Sequence, residues 1–180
     1  MSGLLGTVIA QFDNQTANFF LVVDSPGNEE YDGTTFGGCH EGAAIEGLCP
    51  GNEMNATESY QFFQHNTSSY SVPSGILTYE LHGADFNISE PMQLGIGPLS
   101  NMADPLFTPG YQFTEVAFDK DEKMYIADSK GNPYYRWYIC DNVSYYRYTG
   151  LQWLIGTSPD SVPDEPSCRQ TNVTRKWVKE

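Results

Sequence analysis

The chain has 180 residues, of which 39% are apolar, 14% aromatic and 18% charged, which is enough for a packed core and unlike a disordered or coiled-coil chain. Nine Lys and Arg stand against 23 Asp and Glu, giving a net charge of −14. A surface of that sign repels phosphate backbones and anionic bilayers, so no nucleic acid and no membrane are expected as partners and a basic patch on a protein is favoured.

Nearly every apolar run is short and bounded by Gly, Pro, Asn or Asp, and none keeps a 3.6-residue period over about a dozen positions, so the expected class is all-β. In chain order the predicted strands are Gly6 to Gln11, Asn18 to Asp24, Glu58 to Gln64, Ile76 to His82, Met92 to Ile96 and Gln112 to Asp119. Lys123 to Ala127, Tyr134 to Asp141, Tyr145 to Ile155 and Thr171 to Val178 complete the set. About ten antiparallel strands at this spacing fit a β-sandwich or a closed barrel, with a β-trefoil as the alternative. Residues 1 to 119 hold 15 acids and no Lys or Arg, whereas residues 120 to 180 hold all nine bases and eight acids. No linker separates these parts, so residues 1–180 read as one domain with an acidic flank, serving either solubility or recognition.

The segment from Gly37 to Pro50 reads as a small, glycine-punctuated loop closed by a Cys39–Cys49 disulfide. That pairing removes the thiol that Cys39-His40-Glu41 offers as a nucleophile, and leaves His40 and Glu41 as structural or contact residues. Alternation in Ile76 to His82 places Leu77, Tyr79 and Leu81 inward and Thr78, Glu80 and His82 outward. Asp119-Lys120-Asp121-Glu122 reads as a hairpin turn or a calcium loop, although it lacks the D-x-D-x-D-G spacing.

Tyr134 to Trp153 carries eight aromatics in 20 residues. A hairpin turning at Asp141 to Ser144 sets Tyr138 opposite Arg147 on a face shared with Arg136, Cys140 and Tyr145, and sends Tyr135, Trp137 and Ile139 to the core. That Tyr/Arg face serves the sheet or a partner. Asn132, Tyr134 and Tyr135 form a second candidate contact loop after Gly131. Cys140 is expected to pair with Cys168, tying an aromatic strand to the C-terminal segment.

Asn14, Asn55, Asn66, Asn87, Asn142 and Asn172 each open an N-x-S/T sequon, six where Ser and Thr frequency predicts roughly 1.6. Paired cysteines and abundant sequons belong to the secretory route, so a secreted glycoprotein is expected. The opening MSGLLGTVIAQFDN lacks a basic n-region, and the chain reads as a mature form.

The order Asn18-Phe19-Phe20-Leu21-Val22-Val23, Cys39-His40-Glu41-Gly42-Ala43-Ala44-Ile45-Glu46-Gly47-Leu48-Cys49 and Arg136-Trp137-Tyr138-Ile139-Cys140 resembles a family of small secreted fungal proteins of uncertain biochemistry. Pro105-Leu106-Phe107-Thr108-Pro109-Gly110, Leu151-Gln152-Trp153-Leu154-Ile155-Gly156 and Pro166-Ser167-Cys168 extend the likeness over residues 18 to about 178. The resemblance implies an extracellular or wall-associated protein, with some members acting as effectors in a plant host, and it supplies no catalytic residues. No nucleophile elbow, Walker loop, dinucleotide fingerprint or C-x-x-C pair is present, and three histidines barely suffice for a triad or metal site. The expected function is therefore non-enzymatic and without cofactor or metal: a monomeric apoplastic effector that inhibits a host extracellular hydrolase, a papain-like cysteine protease first among them. A structural or carbohydrate-binding wall protein, stacking sugars on Tyr134, Tyr135, Tyr145 and Tyr146, is the alternative.

Overall fold

A computed structural model describes residues 12–97 and 100–179. Its strands are β1 (Asn14–Gln15), β2 (Phe19–Asp24), β3 (Thr35–Gly42), β4 (Ile45–Asn52), β5 (Phe63–Thr67), β6 (Gly75–His82) and β7 (Asn87–Ile96). They continue as β8 (Met102–Phe107), β9 (Glu115–Phe118), β10 (Met124–Ala127), β11 (Pro133–Tyr134), β12 (Trp137–Val143), β13 (Tyr148–Leu154) and β14 (Arg169–Trp177). The fold is all-β and antiparallel, with one 3₁₀ turn at Ser59–Gln61 among the described residues.

The strands run in the order β1-β5-β2-β14-β12-β13-β8-β7-β6-β9-β10-β11, with β3 and β4 bridging β2 and β8. Because β5 also pairs β6, the neighbours return on themselves through eight strands, but the β2–β5 link is a single pair, Phe19↔Phe63. The C-terminal β14 lies between β2 and β12 and pairs β2 from Asn172↔Asp24 to Trp177↔Phe19. The bases of the last third are thus threaded into the acidic part: Lys123 meets Asp24 at 3.2 Å.

β2 is buried on both faces, which is why Phe-Phe-Leu-Val-Val reads as an unbroken apolar run. Phe19, Leu21 and Val23 enter the main core with Phe36, Phe63, Leu77, Phe107, Trp137 and Val173. Trp137 is wholly enclosed and its Nε1 donates to the Met124 carbonyl at 2.9 Å, so the indole's one polar atom is satisfied. The outward side of β12 covers a second, small cluster of Met102, Cys140 and Leu154, flanked by Tyr138.

Several expectations are corrected. The Cys39 segment is a strand hairpin, β3–β4, and the predicted loop reading failed because its glycines look like breakers. A Cβ at Gly37 would come within 2.8 Å of the Tyr60 ring, and one at Gly38 within 2.8 Å of Tyr79, so these glycines admit aromatic rings against a strand. The sequence reading also omitted β8, which tolerates Pro105 within its run. Of the strand expected over Glu58 to Gln64, Ser59–Gln61 is a 3₁₀ turn and only Phe63 and Gln64 belong to β5; the turn is held by Gln61, which is 1% exposed and accepts the Thr35 hydroxyl at 2.8 Å. Gly6 to Gln11 lies outside the described residues. Asp119 to Glu122 forms the β9–β10 turn, Asp119 Oδ1 accepting the backbone N–H groups of Asp121 and Lys123.

Both predicted disulfides are present, Cys39–Cys49 and Cys140–Cys168, and no cysteine is free. No helix among the described residues is long and apolar enough to cross a membrane.

Candidate functional site

Two hairpin ends meet at one tip of the sheet. The β3–β4 hairpin turns at Ala43-Ala44, and its strands are cross-linked diagonally, Cys39 lying opposite Gly47 and Cys49 opposite Gly37. The β12–β13 hairpin turns at Ser144 to Arg147 after an irregularity between Cys140 and Val143. Asn142, Ser144 and Arg147 adopt φ of 53°, 69° and 60°, a left-handed set that tightens the turn and projects its tyrosines.

At that tip the His40 ring lies 5.5 Å from Tyr146, which is edge-on to Tyr145 at 5.4 Å and stacked on Tyr148 at 6.0 Å. Tyr145 is 90% exposed, Tyr146 44% and Tyr148 36%, an uncommon concentration of solvent-facing aromatic surface. Acids underlie it. Glu46 Oε1 sits 3.7 Å from His40 Nδ1, and Glu41 lies beside Ser144 of the opposing turn. Burial pushes both carboxyls above their usual range; His40 pulls Glu46 back, while Ser144 and then His40 pull Glu41 back. Deeper still, Tyr79 is pushed up to about 12, first by burial and then by Glu46 and Glu90.

The structure brings together only some of the candidate residues. His40, Glu41 and Arg147 belong to the tip. Tyr138 faces Gln152, not Arg147, because the bulge and four-residue turn shift the register, and its half-buried ring packs on the Cys140 cluster. The cation–π arrangement expected there occurs elsewhere, with Arg175 over Phe118 at 4.3 Å and Trp177 at 4.5 Å. Asn132, Tyr134 and Tyr135 stand before the other end of β12, a strand of seven residues that separates them from the tip by about 20 Å.

Those three residues are engaged internally. Asn132, although exposed, is tied into the turn that Asp128 caps: its backbone N–H donates to Asp128 Oδ1 and its Nδ2 to Asp128 Oδ2, each at 2.9 Å. Tyr134 packs on the main core, and the Tyr135 hydroxyl donates to Asp119 at 2.8 Å. Burial and Asp119 push Tyr135 up to about 12. Tyr135 is thus half-buried and does not enter the core as expected. Of the sequon residues, Asn14, Asn55, Asn87 and Asn142 are exposed, whereas Asn66 and Asn172 are half-buried in strands and Asn172 Nδ2 donates to Asp24 at 3.2 Å.

Sequence reasoning missed Tyr148 and the joining of the tyrosines with His40. The signal lay in Tyr145-Tyr146-Arg147-Tyr148, where a turn can present aromatics that a regular strand would split between faces. Chemically, the tip offers aromatic faces backed by carboxylates, a combination suited to an arginine or lysine side chain. Among the described residues no group of three or more His, Cys, Asp or Glu is arranged to hold a metal ion.

Residues 16–177 match a family described as a domain of unknown function, DUF7907, and the chain belongs to that family. No curated protein and no solved structure matches it.

Proposed function

We propose that this DUF7907 member is a secreted, non-enzymatic binding protein that engages a protein partner through the His40/Tyr145/Tyr146/Tyr148 tip. In the fungal setting implied by the resemblance, the partner is a host extracellular hydrolase whose cleft receives the tip, a papain-like cysteine protease being the first to test. The observation that carries the reading is the exposed tyrosine stack of the β12–β13 hairpin, met by His40 of the β3–β4 hairpin, each hairpin being anchored by a disulfide. Tyrosine supplies large contact area at low rotamer cost, and a covalently braced hairpin loses little further freedom on docking. Carboxylates of Glu41 and Glu46 beneath the rings, in a chain of net charge −14, favour a basic rim on the partner.

The test is titration of the protein into purified extracellular cysteine proteases, serine proteases and glycosidases, with residual activity as the readout. Saturable inhibition of at least one cleft enzyme is the expected result. Absence of both inhibition and binding across the panel, measured by calorimetry on the same samples, overturns the hydrolase assignment.

A further inference from the structure

A second site lies away from the tip, on the face of β5 and β6 turned from the main core. Leu77 and Tyr79 point inward, so Thr78, Glu80 and His82 line the outer face, with Gln64 directly opposite Thr78. Phe62, propped edge-on by Phe20 at 5.5 Å, continues this face beyond Gln64. Asn18 and Ser59, both exposed, form the other wall, and the groove encloses about 340 Å³. That volume falls in the range of small-molecule clefts.

Its chemistry narrows the ligand. One aromatic ring stands among carboxamide, hydroxyl, imidazole and carboxylate groups, and the single acid, Glu80, already faces His82 Nε2 at 3.3 Å. A chain of net charge −14 disfavours anions, and no unpaired acid in the groove selects a cation. A neutral, polyhydroxylated ring matches what remains: its C–H face would lie on Phe62, and its hydroxyls would be within reach of Ser59, Asn18 and Glu80. A neighbouring observation points the same way. His82 pairs with Asn87 across β6 and β7, and its Nδ1 bonds Asn87 Oδ1 at 3.0 Å, so the carboxamide of the Asn87-Ile88-Ser89 sequon is held beside the groove. Sugars attached at Asn87 Nδ2 would begin at the mouth of the site.

We propose that the β5–β6 groove is a saccharide site for a neutral N-acetylhexosamine or hexose disaccharide, supplied either by the chain's own Asn87-linked glycan or by a separate glycan. It stands independently of the tip's role. The test uses protein from a secretory host in parent and Ser89→Ala forms, the latter losing the sequon while keeping Asn87 against His82. Each is titrated with N,N′-diacetylchitobiose and with cellobiose and followed by backbone amide shifts. The Ser89→Ala protein is expected to show saturable shifts centred on residues 62–64 and 78–82, and Phe62→Ala in that background to weaken binding about tenfold. If the parent binds added disaccharide only after enzymatic removal of its glycan, the occupant is the chain's own; if it binds as Ser89→Ala does, the glycan is a separate one. Absence of saturable shifts in the folded Ser89→Ala protein, shifts centred elsewhere, or binding unchanged by Phe62→Ala overturns the proposal.

Discussion

Glu90 sits in β7 opposite Tyr79, wholly enclosed, and neither carboxyl oxygen has a hydrogen-bond partner among the described residues. Burial, reinforced by Glu46, pushes its pKa to about 7. A carboxyl raised above its unfolded value of about 4.3 leaves the folded state holding more protons between those limits. Its contribution is therefore most favourable below the unfolded pKa, and stability falls as pH rises through 7. His65 acts in the opposite sense: burial lowers its pKa, its Nε2 meets the Val116 carbonyl at 3.0 Å, and stability falls as pH drops below the unfolded value of about 6.5. Glu90→Gln is accordingly expected to raise unfolding free energy by about 1–3 kcal/mol at pH 8 and to change it little at pH 4.5. Urea unfolding at the two pH values measures the difference; a gain of equal size at both, or none at pH 8, contradicts the assignment.

At the scale of elements, the two disulfides carry different burdens. Cys39–Cys49 spans 10 residues within one hairpin, while Cys140–Cys168 spans 28 and joins β12 to the segment leading into β14. Chain-entropy arguments assign them about 3 and about 3.5 kcal/mol. Cys39→Ala with Cys49→Ala is expected to lower stability by about 3 kcal/mol, to keep the β-sheet circular dichroism, and to speed amide exchange in β3 and β4 above the rest. Uniformly faster exchange would show that the bridge supports the whole sheet and not the tip. The all-β class, both pairings and the exposed positions Glu80 and His82 of β6 were legible because apolar periodicity and cysteine spacing are local signals, whereas Thr78, expected outward, is 6% exposed. The glycine-rich β3–β4 pair was not, since Gly37 and Gly38 earn their places through Tyr60 and Tyr79, partners 23 and 41 positions away. Nor was the β12–β13 register, because Asp141 to Ser144 carries the turn-forming residues whereas the turn itself runs from Ser144 to a left-handed Arg147, a residue type that gives no turn signal.

For the molecule as a whole, the segregated charge of the sequence is partly undone by topology, since β14 carries Arg175 and Lys176 alongside β2 and Lys123 meets Asp24 of β2 at 3.2 Å. What stays segregated is tryptic susceptibility. No Lys or Arg precedes Lys120, so native trypsin can enter only the last third, at exposed turns such as Lys130 and Arg147. Because Arg147 lies at the tyrosine tip and Lys130 does not, bound partner should protect the Arg147–Tyr148 bond while leaving Lys130–Gly131 open. Peptide mapping with and without partner reads both, and equal protection of the two bonds would place the contact elsewhere. The most direct measurement is the affinity of Tyr145→Ala with Tyr146→Ala for an enzyme that the parent inhibits, beside Tyr134→Ala as a control at the far end of β12 and with folding verified for each. The tip reading predicts a loss of at least about 30-fold for the double variant and less than about threefold for Tyr134→Ala; an unchanged affinity for the double variant contradicts it.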